Sequence, residues 1–350
     1  MNDIVFKIVY KVAILFVMML PGVILKKTKM IPDGFGKGLS NLVLYIAQPC
    51  LVFLAYLRPY DKTIMINSIY VFIFSIIAHA IFSAVALAVF KKAPDSKARM
   101  LKFITIFANA AFMGIPLIEA VLEEDYPGST MYASIYNITF NLFLWSLGVK
   151  ICTDGRDVNC DGVNDYVEAS SLRRVENDDE IVKNGSGSIL KAIIHPVTIA
   201  AVLGLLFFIL PTDKITLAPA LKTVVDLSLE SLTMLKNLVA PLSMVIIGIR
   251  LADMNLKGIF TDKLMYVFLA LRHIALPVVM IGIIKLVSVC GLDIHPAVSM
   301  VIVILASTPA ATSATMFAEK FNCDSMYVSK LVAISTIISI ATMPLILLLL

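Results

Sequence analysis

Residues 107–116 read Phe107-Ala108-Asn109-Ala110-Ala111-Phe112-Met113-Gly114-Ile115-Pro116, and residues 305–313 read Leu305-Ala306-Ser307-Thr308-Pro309-Ala310-Ala311-Thr312-Ser313. Each stretch lies inside an apolar segment of membrane-spanning length, and each carries a residue that a continuous helix resists. Proline has no backbone N–H, and its ring collides with the carbonyl four residues earlier. Gly114 loosens the same turn of the first stretch. Both helices should break or kink at membrane depth, freeing backbone groups that lipid cannot satisfy. Such breaks survive where they are buried in protein or line a wet cavity, so the pair is the first candidate for a binding site.

The rest of the chain calls for the same setting. Of 350 residues, 59% are hydrophobic and 15% charged, with a mean hydropathy of +0.91. A soluble domain runs at about 45–50% apolar and about 25% charged. An ordinary soluble enzyme is thereby excluded, as is disorder outside one loop. Ten apolar spans are expected, at about 4–25, 35–57, 64–90, 99–122, 129–151, 191–210, 223–251, 262–290, 296–319 and 325–350. The first holds Lys7 and Lys11 and lacks a small-residue cleavage site before Lys26, so it reads as a span rather than a signal peptide. Most of the 29 Lys and Arg fall in the connections after the odd-numbered spans, among them Lys26, Lys27, Lys29, Lys37, Lys91, Lys92, Lys97, Arg99 and Lys102. The positive-inside rule puts those connections in the cytoplasm and both termini outside. The net charge of +4 therefore speaks of orientation and not of nucleic acid. The five Cys form no CxxC pair, which leaves a disulfide framework or zinc site without support.

The two halves echo each other. Pro21 and Pro211, Pro49 and Pro241, Pro116 and Pro309, and Asp61 and Asp253 all recur at a spacing of about 190 residues. Five spans per half force the second half to enter the membrane in the opposite sense. The expected fold class is an all-α integral membrane protein of ten transmembrane helices in two inverted five-helix repeats, with spans 4 and 9 broken where they cross. Residues 1–152 form the first repeat, 153–190 a polar cytoplasmic linker, and 191–350 the second repeat. Inverted repeats of this kind occur in secondary transporters.

The chemistry expected at the crossing suits an anion. A half-helix that starts at a break aims free N–H groups and a positive dipole end into the cavity. Ala110, Ala111, Ala310 and Ala311 are small enough for two backbones to approach closely. Asn109, Ser307, Thr308 and Thr312 offer hydrogen bonds to a carboxylate, and neither broken stretch contains a basic residue. Asn137 and Asn141, four residues apart in span 5, share a helix face and suit either substrate binding or helix–helix contact. Glu119, one turn beyond Pro116, is the candidate for coupling transport to protons. Arg272 in span 8 is expected to snorkel to the cytoplasmic surface, with anion binding as the alternative, and His79 to pack between helices, with a proton relay as the alternative.

At these residues the chain resembles the auxin efflux carrier family, which includes the plant PIN-formed proteins and many bacterial permeases. Asn109 followed by Met113-Gly114-Ile115-Pro116-Leu117 is similar to that family's span-4 pattern, and Pro309 with Phe317-Ala318-Glu319-Lys320-Phe321 to its span-9 pattern. The resemblance covers nearly the whole chain. It implies a scaffold of spans 1, 2, 6 and 7, a moving domain of spans 3–5 and 8–10, a homodimer, and elevator-type alternating access for organic anions. It also implies a bacterial plasma-membrane setting, and Asn109, Pro116 and Pro309 as site positions, to which the interrupted turn itself adds Gly114 as a candidate. Ala108 and Ala310 stand where plant carriers have Pro and Gln, which favours a small carboxylate such as malate or malonate over auxin. The alternatives are a sodium-coupled symporter of the bile-acid type and a membrane sensor. No HExxH, GxSxG or intramembrane aspartyl pair suggests an enzyme.

The linker contains Asp157, Asn159, Asp161, Gly162 and Glu168 at EF-hand loop spacing. Position 8 of that loop is Asn164 rather than an apolar residue, and no clear amphipathic helix flanks it. A chance match within a polar linker is the favoured reading, so no cofactor is expected.

Overall fold

The computed structural model describes residues 2–153, 195–210, 218–252, 258–321 and 323–350. The first half runs α1 (Asn2–Val17), α2 (Leu20–Lys27), α3 (Phe35–Leu42), α4 (Gln48–Tyr56), α5 (Lys62–Val89), α6 (Asp95–Ile106), α7 (Ile115–Leu122), α8 (Ser129–Phe143) and α9 (Val149–Thr153). The second runs α10 (Pro196–Ile209), α11 (Pro219–Lys236), α12 (Val239–Ala252), α13 (Lys263–Ala270), α14 (Leu276–Val289), α15 (Pro296–Ser307), α16 (Ala314–Lys320) and α17 (Ser325–Leu347). Among the described residues, seven helical runs are long and apolar enough to cross a membrane, and Ala110–Leu122, Pro196–Ile209 and Pro296–Ser307 are shorter apolar helices. Large apolar side chains such as Val202, Leu206, Phe207, Ile274 and Leu286 stand exposed on the outside. The protein is an all-α, multi-spanning integral membrane protein.

Prolines shape the helices in a way that the sequence reading simplified. Val43–Ala47, Ala110–Gly114 and Leu271–Ala275 are π-helical turns, and each ends two residues before a proline: Pro49, Pro116 and Pro277. In each case the residue preceding the proline donates its N–H five residues back: Gln48 to Val43, Ile115 to Ala110, and Leu276 to Leu271. A proline ring crowds the carbonyl four residues earlier. Widening the preceding turn moves that carbonyl aside, and π-bulges of this kind mark functional sites. Pro116 therefore widens its helix instead of breaking it. The interruption in span 4 lies upstream, at Phe107–Asn109, between α6 and the turn Ala110–Gly114.

Helices from the two halves pack against each other. α2 lies on α12, and α4 on α10 and α11. The α2–α12 contact is a close backbone approach: a Cβ on Gly22 would collide with the Val245 carbonyl, and one on Gly248 with the Met19 carbonyl. Small residues permit such approaches between membrane helices. A second group joins α5, α6 and α8 to α14–α17, with α15 packed on α5, α8 and α17. Asp61, Asp262 and Asp324 start α5, α13 and α17 by accepting the N–H groups of Ile64, Leu264 and Tyr327. Pro211 and Asp253, two members of the repeated pairs, lie outside the described residues, as does the calcium-like loop Asp157–Glu168.

Candidate functional site

The two broken helices meet back to back. α6 ends at Ile106 and α15 at Ser307, and beyond them the chains run extended past each other. The N–H of Asn109 donates to the Pro309 carbonyl at 2.8 Å, and the N–H of Ala311 to the Phe107 carbonyl at 3.0 Å. Ala108 and Ala310 thus face each other in an antiparallel bridge. Each break supplies the backbone partners that the other needs and that lipid could not offer. The Asn109 carbonyl accepts from the N–H groups of Met113 and Gly114, which starts the wide turn. Gly114 fits because its neighbour is close: a Cβ there would lie 2.5 Å from Leu305 Cδ2.

Arg272 corrects the expectation of a snorkelling side chain. It is 0% exposed and lies at the crossing. Its Nε and Nη2 donate to the Thr308 carbonyl at 3.1 and 2.9 Å, and its Nη1 to the Thr105 carbonyl at 3.2 Å. The wide turn before Pro277 carries it there, into contact with the C-terminal ends of α6 and α15. The next residue, His273, holds the crossing by another route. Its Nε2 is 2.9 Å from Ser335 Oγ, which accepts the Ala310 N–H at 3.0 Å. His79 is buried and stacked on Phe143, with Nδ1 2.7 Å from the Ser75 carbonyl, as the packing role expected.

Among the described residues, no hydrogen-bond partner reaches Asn109 Nδ2, Thr312 Oγ1 or Thr105 Oγ1 at the crossing, Gln48 Oε1 beside it, or Asn137 Oδ1 on α8. Buried polar atoms are normally paired, so each orphan asks for an explanation. The hydroxyl protons of Ser307 and Thr308 are engaged at 2.7 and 2.8 Å with the carbonyls of Val303 and Leu305. In this structure those two hydroxyls offer lone pairs rather than donors. Asn137 is buried while Asn141 is half-buried, so the amide pair is not equivalent. Gln48 of α4 donates to the Ala111 carbonyl at 3.1 Å, and Arg250 of α12 to the Thr312 carbonyl at 2.6 Å. Neither residue was singled out from the sequence, since both come from helices remote in the chain from the broken segments. A long polar side chain shortly before Pro49 was the one available signal. Glu119 does not stand alone: its Oε1 is 2.7 Å from Lys236 Nζ at the end of α11.

A family model described as a membrane transport protein matches residues 7–347. The chain belongs to that family. A comparison with curated proteins gives no match. As a member of a transporter family, the protein is a membrane transport protein and not an enzyme. The crossing of this transporter joins two interrupted helices, a buried cation and a set of unpaired donors and acceptors.

Proposed function

We propose that the protein is a secondary carrier for small organic anions, a permease of the auxin efflux carrier type, with its site at the crossing. The observation that carries this reading is the orphan Asn109 amide beside two mutually paired helix breaks. Asn109 Nδ2 needs an acceptor, while Gln48 Oε1 and Asn137 Oδ1 need donors. A small hydroxycarboxylate meets both demands. Gly114, Pro116, Ser307, Thr308, Pro309 and Thr312 frame the same space.

In this reading the chain crosses the bilayer ten times, as two inverted repeats at 1–152 and 191–350 joined by the cytoplasmic linker 153–190, with both termini outside. The seven long and three shorter apolar helices support the count. The antiparallel sense of the Ala108–Ala310 bridge supports the inversion. The extensive packing of α2–α4 with α10–α12 supports a scaffold against which the crossing domain moves as an elevator. Homodimer formation is supported by α11, which buries no residue yet carries Asp226 and Glu230 beside Leu221, Val224 and Leu227. Charged side chains facing lipid are costly, and a second copy would cover them. Glu119 is the coupling group, held by Lys236 in this state.

Uptake of labelled mono- and dicarboxylates into proteoliposomes tests the reading. Saturable uptake of at least one of them, competed by its unlabelled form, is expected. Flux no greater than in protein-free liposomes across the panel would overturn the reading.

A further inference from the structure

We propose that Arg272 sets the charge preference of the crossing: it cancels the negative ends of α6 and α15, so that the site takes a carboxylate in preference to its neutral isostere. This inference rests on the carrier reading above and names the residue that selects the charge of its substrate.

The argument begins with the helix ends. A C-terminus of an α-helix carries the equivalent of about −0.5 elementary charge on its unpaired carbonyls. α6 and α15 both end at the crossing, so about one negative charge accumulates there. Left alone, that field would repel an anion. The Arg272 fork reaches both ends at once, through the Thr105 and Thr308 carbonyls. With those ends offset, the dipole of the helical segment Ala110–Leu122, which starts at the same place, is left to act on a bound solute. Asn109 Nδ2 adds an unpaired donor there.

Arg272 has no carboxylate partner among the described residues. Its neighbours include Phe82, whose ring centroid lies 5.6 Å from the guanidinium carbon, and the side chains of Tyr136 and His79, near enough to feel its charge. A buried cation compensated by carbonyls alone is expensive to keep, and in membrane segments such charges mark solute or ion pathways. Lysine would be a poor replacement. It brings one compact charge, whereas the planar guanidinium spans two carbonyls from a fixed geometry. Arg272 need not touch the solute. It acts through the two carbonyls that it holds.

The test compares labelled malonate with labelled malonamide, its neutral analogue, in proteoliposomes of wild type, Arg272→Lys, Arg272→Gln and Phe82→Glu. Wild type should prefer malonate by about tenfold or more, since charge-assisted hydrogen bonds are about twice as strong as neutral ones. Arg272→Gln should bring the ratio close to one, and Arg272→Lys should keep the preference with a raised KM. Arg272→Gln strands two carbonyls in the interior and can cost the fold. Phe82→Glu therefore serves as the second variant, placing a carboxylate beside the guanidinium to neutralise it, and should also abolish the preference. Either neutralising variant that loses flux but keeps the wild-type ratio would overturn the proposal, because a purely structural role lowers both fluxes together. A wild type that moves both compounds equally would overturn it while leaving a carrier. A wild type that moves neither would remove the carboxylate-carrier reading itself.

Discussion

Ala108 and Ala310 face each other across the antiparallel bridge at the crossing, 2% and 0% exposed. Their methyl groups are as much side chain as the contact holds, since the backbones on either side exchange hydrogen bonds at 2.8 and 3.0 Å. Replacing Ala310 with Leu forces the two chains apart. Overpacking of this kind costs about 1–3 kcal/mol. Ala310→Leu is expected to lower the thermal unfolding midpoint and to abolish uptake. Wild-type uptake by the variant would show that the bridge has room to open without loss of the site.

Asn109→Leu separates binding from stability. The Nδ2 of Asn109 is buried without a partner, so removing it sacrifices no hydrogen bond of that atom. Leaving a polar group unpaired in the interior costs about 1–3 kcal/mol, and an apolar replacement of similar size recovers part of it. The expected result is an unfolding midpoint at or above that of wild type, together with uptake near the protein-free background. Normal uptake would move the site away from Asn109.

The apolar segments and the two broken stretches were legible in the sequence because hydropathy and proline act locally. Asn109, Pro309 and Ala310 stand out in the sequence for that reason, and they do meet, whereas Ala108, the residue that faces Ala310, was not among the small residues expected at the contact. The exact place of the first break was not legible. It depends on the extended run Phe107–Asn109 finding Pro309 and Ala311 as partners, a contact between residues far apart in the chain. Arg272 was misread for a related reason. Its position in an apolar span suggested snorkelling, and only the wide turn before Pro277, with the carbonyls of Thr105 and Thr308 waiting inside, directs it to the crossing. Gln48 and Arg250 reach the same place from helices packed by tertiary contact, which no local pattern announces.

Gly22 and Gly248 make a second close contact, between α2 and α12. Each leaves space for a carbonyl of the opposite helix: Val245 for Gly22 and Met19 for Gly248. A side chain at either position must displace backbone, which does not yield as a flexible side chain would. Gly248→Leu is expected to destabilise the protein by about 1–3 kcal/mol or to prevent assembly. Loss of monodisperse protein in size-exclusion chromatography, or a lowered unfolding midpoint, would register it. Gly258→Leu is not an equivalent control, because its positive φ would itself be strained. Gly282→Leu, where a Cβ meets nothing within 4 Å, is the appropriate one.

The Glu119–Lys236 pair, 2.7 Å apart, joins α7 to α11. If the crossing domain moves against the scaffold, this contact must break and re-form. Glu119→Gln removes the charge that needs an ammonium partner in one state and a proton in the other. Exchange of substrate across the membrane should persist in that variant, while accumulation driven by an imposed pH gradient should disappear. Gradient-driven accumulation at the wild-type level would rule out Glu119 as the coupling group.

Glu123, just beyond α7, supports a pH-dependent test of stability. Burial alone would raise its pKa, but the Gly128 and Thr130 N–H groups and the Arg58 guanidinium outweigh burial and hold it below the ordinary 4.5. The contacts are short: 2.9 and 2.7 Å to the two N–H groups and 2.6 Å to Arg58 Nη2. A carboxyl whose pKa is lower in the folded state stabilises the fold at pH values above its unfolded pKa. That contribution fades as pH falls towards the folded pKa and is absent below it. Glu123→Gln should therefore destabilise the protein at neutral pH by about 1–3 kcal/mol, the range for hydrogen bonds to a charged group combined with a partner left unpaired. The gap between wild type and variant should stay level down to about pH 5 and then narrow as the carboxylate protonates. Unfolding midpoints measured from pH 7 to pH 3.5 read this directly. A gap that widens on acidification would mean that the clamp on Arg58 works through the protonated acid rather than the carboxylate.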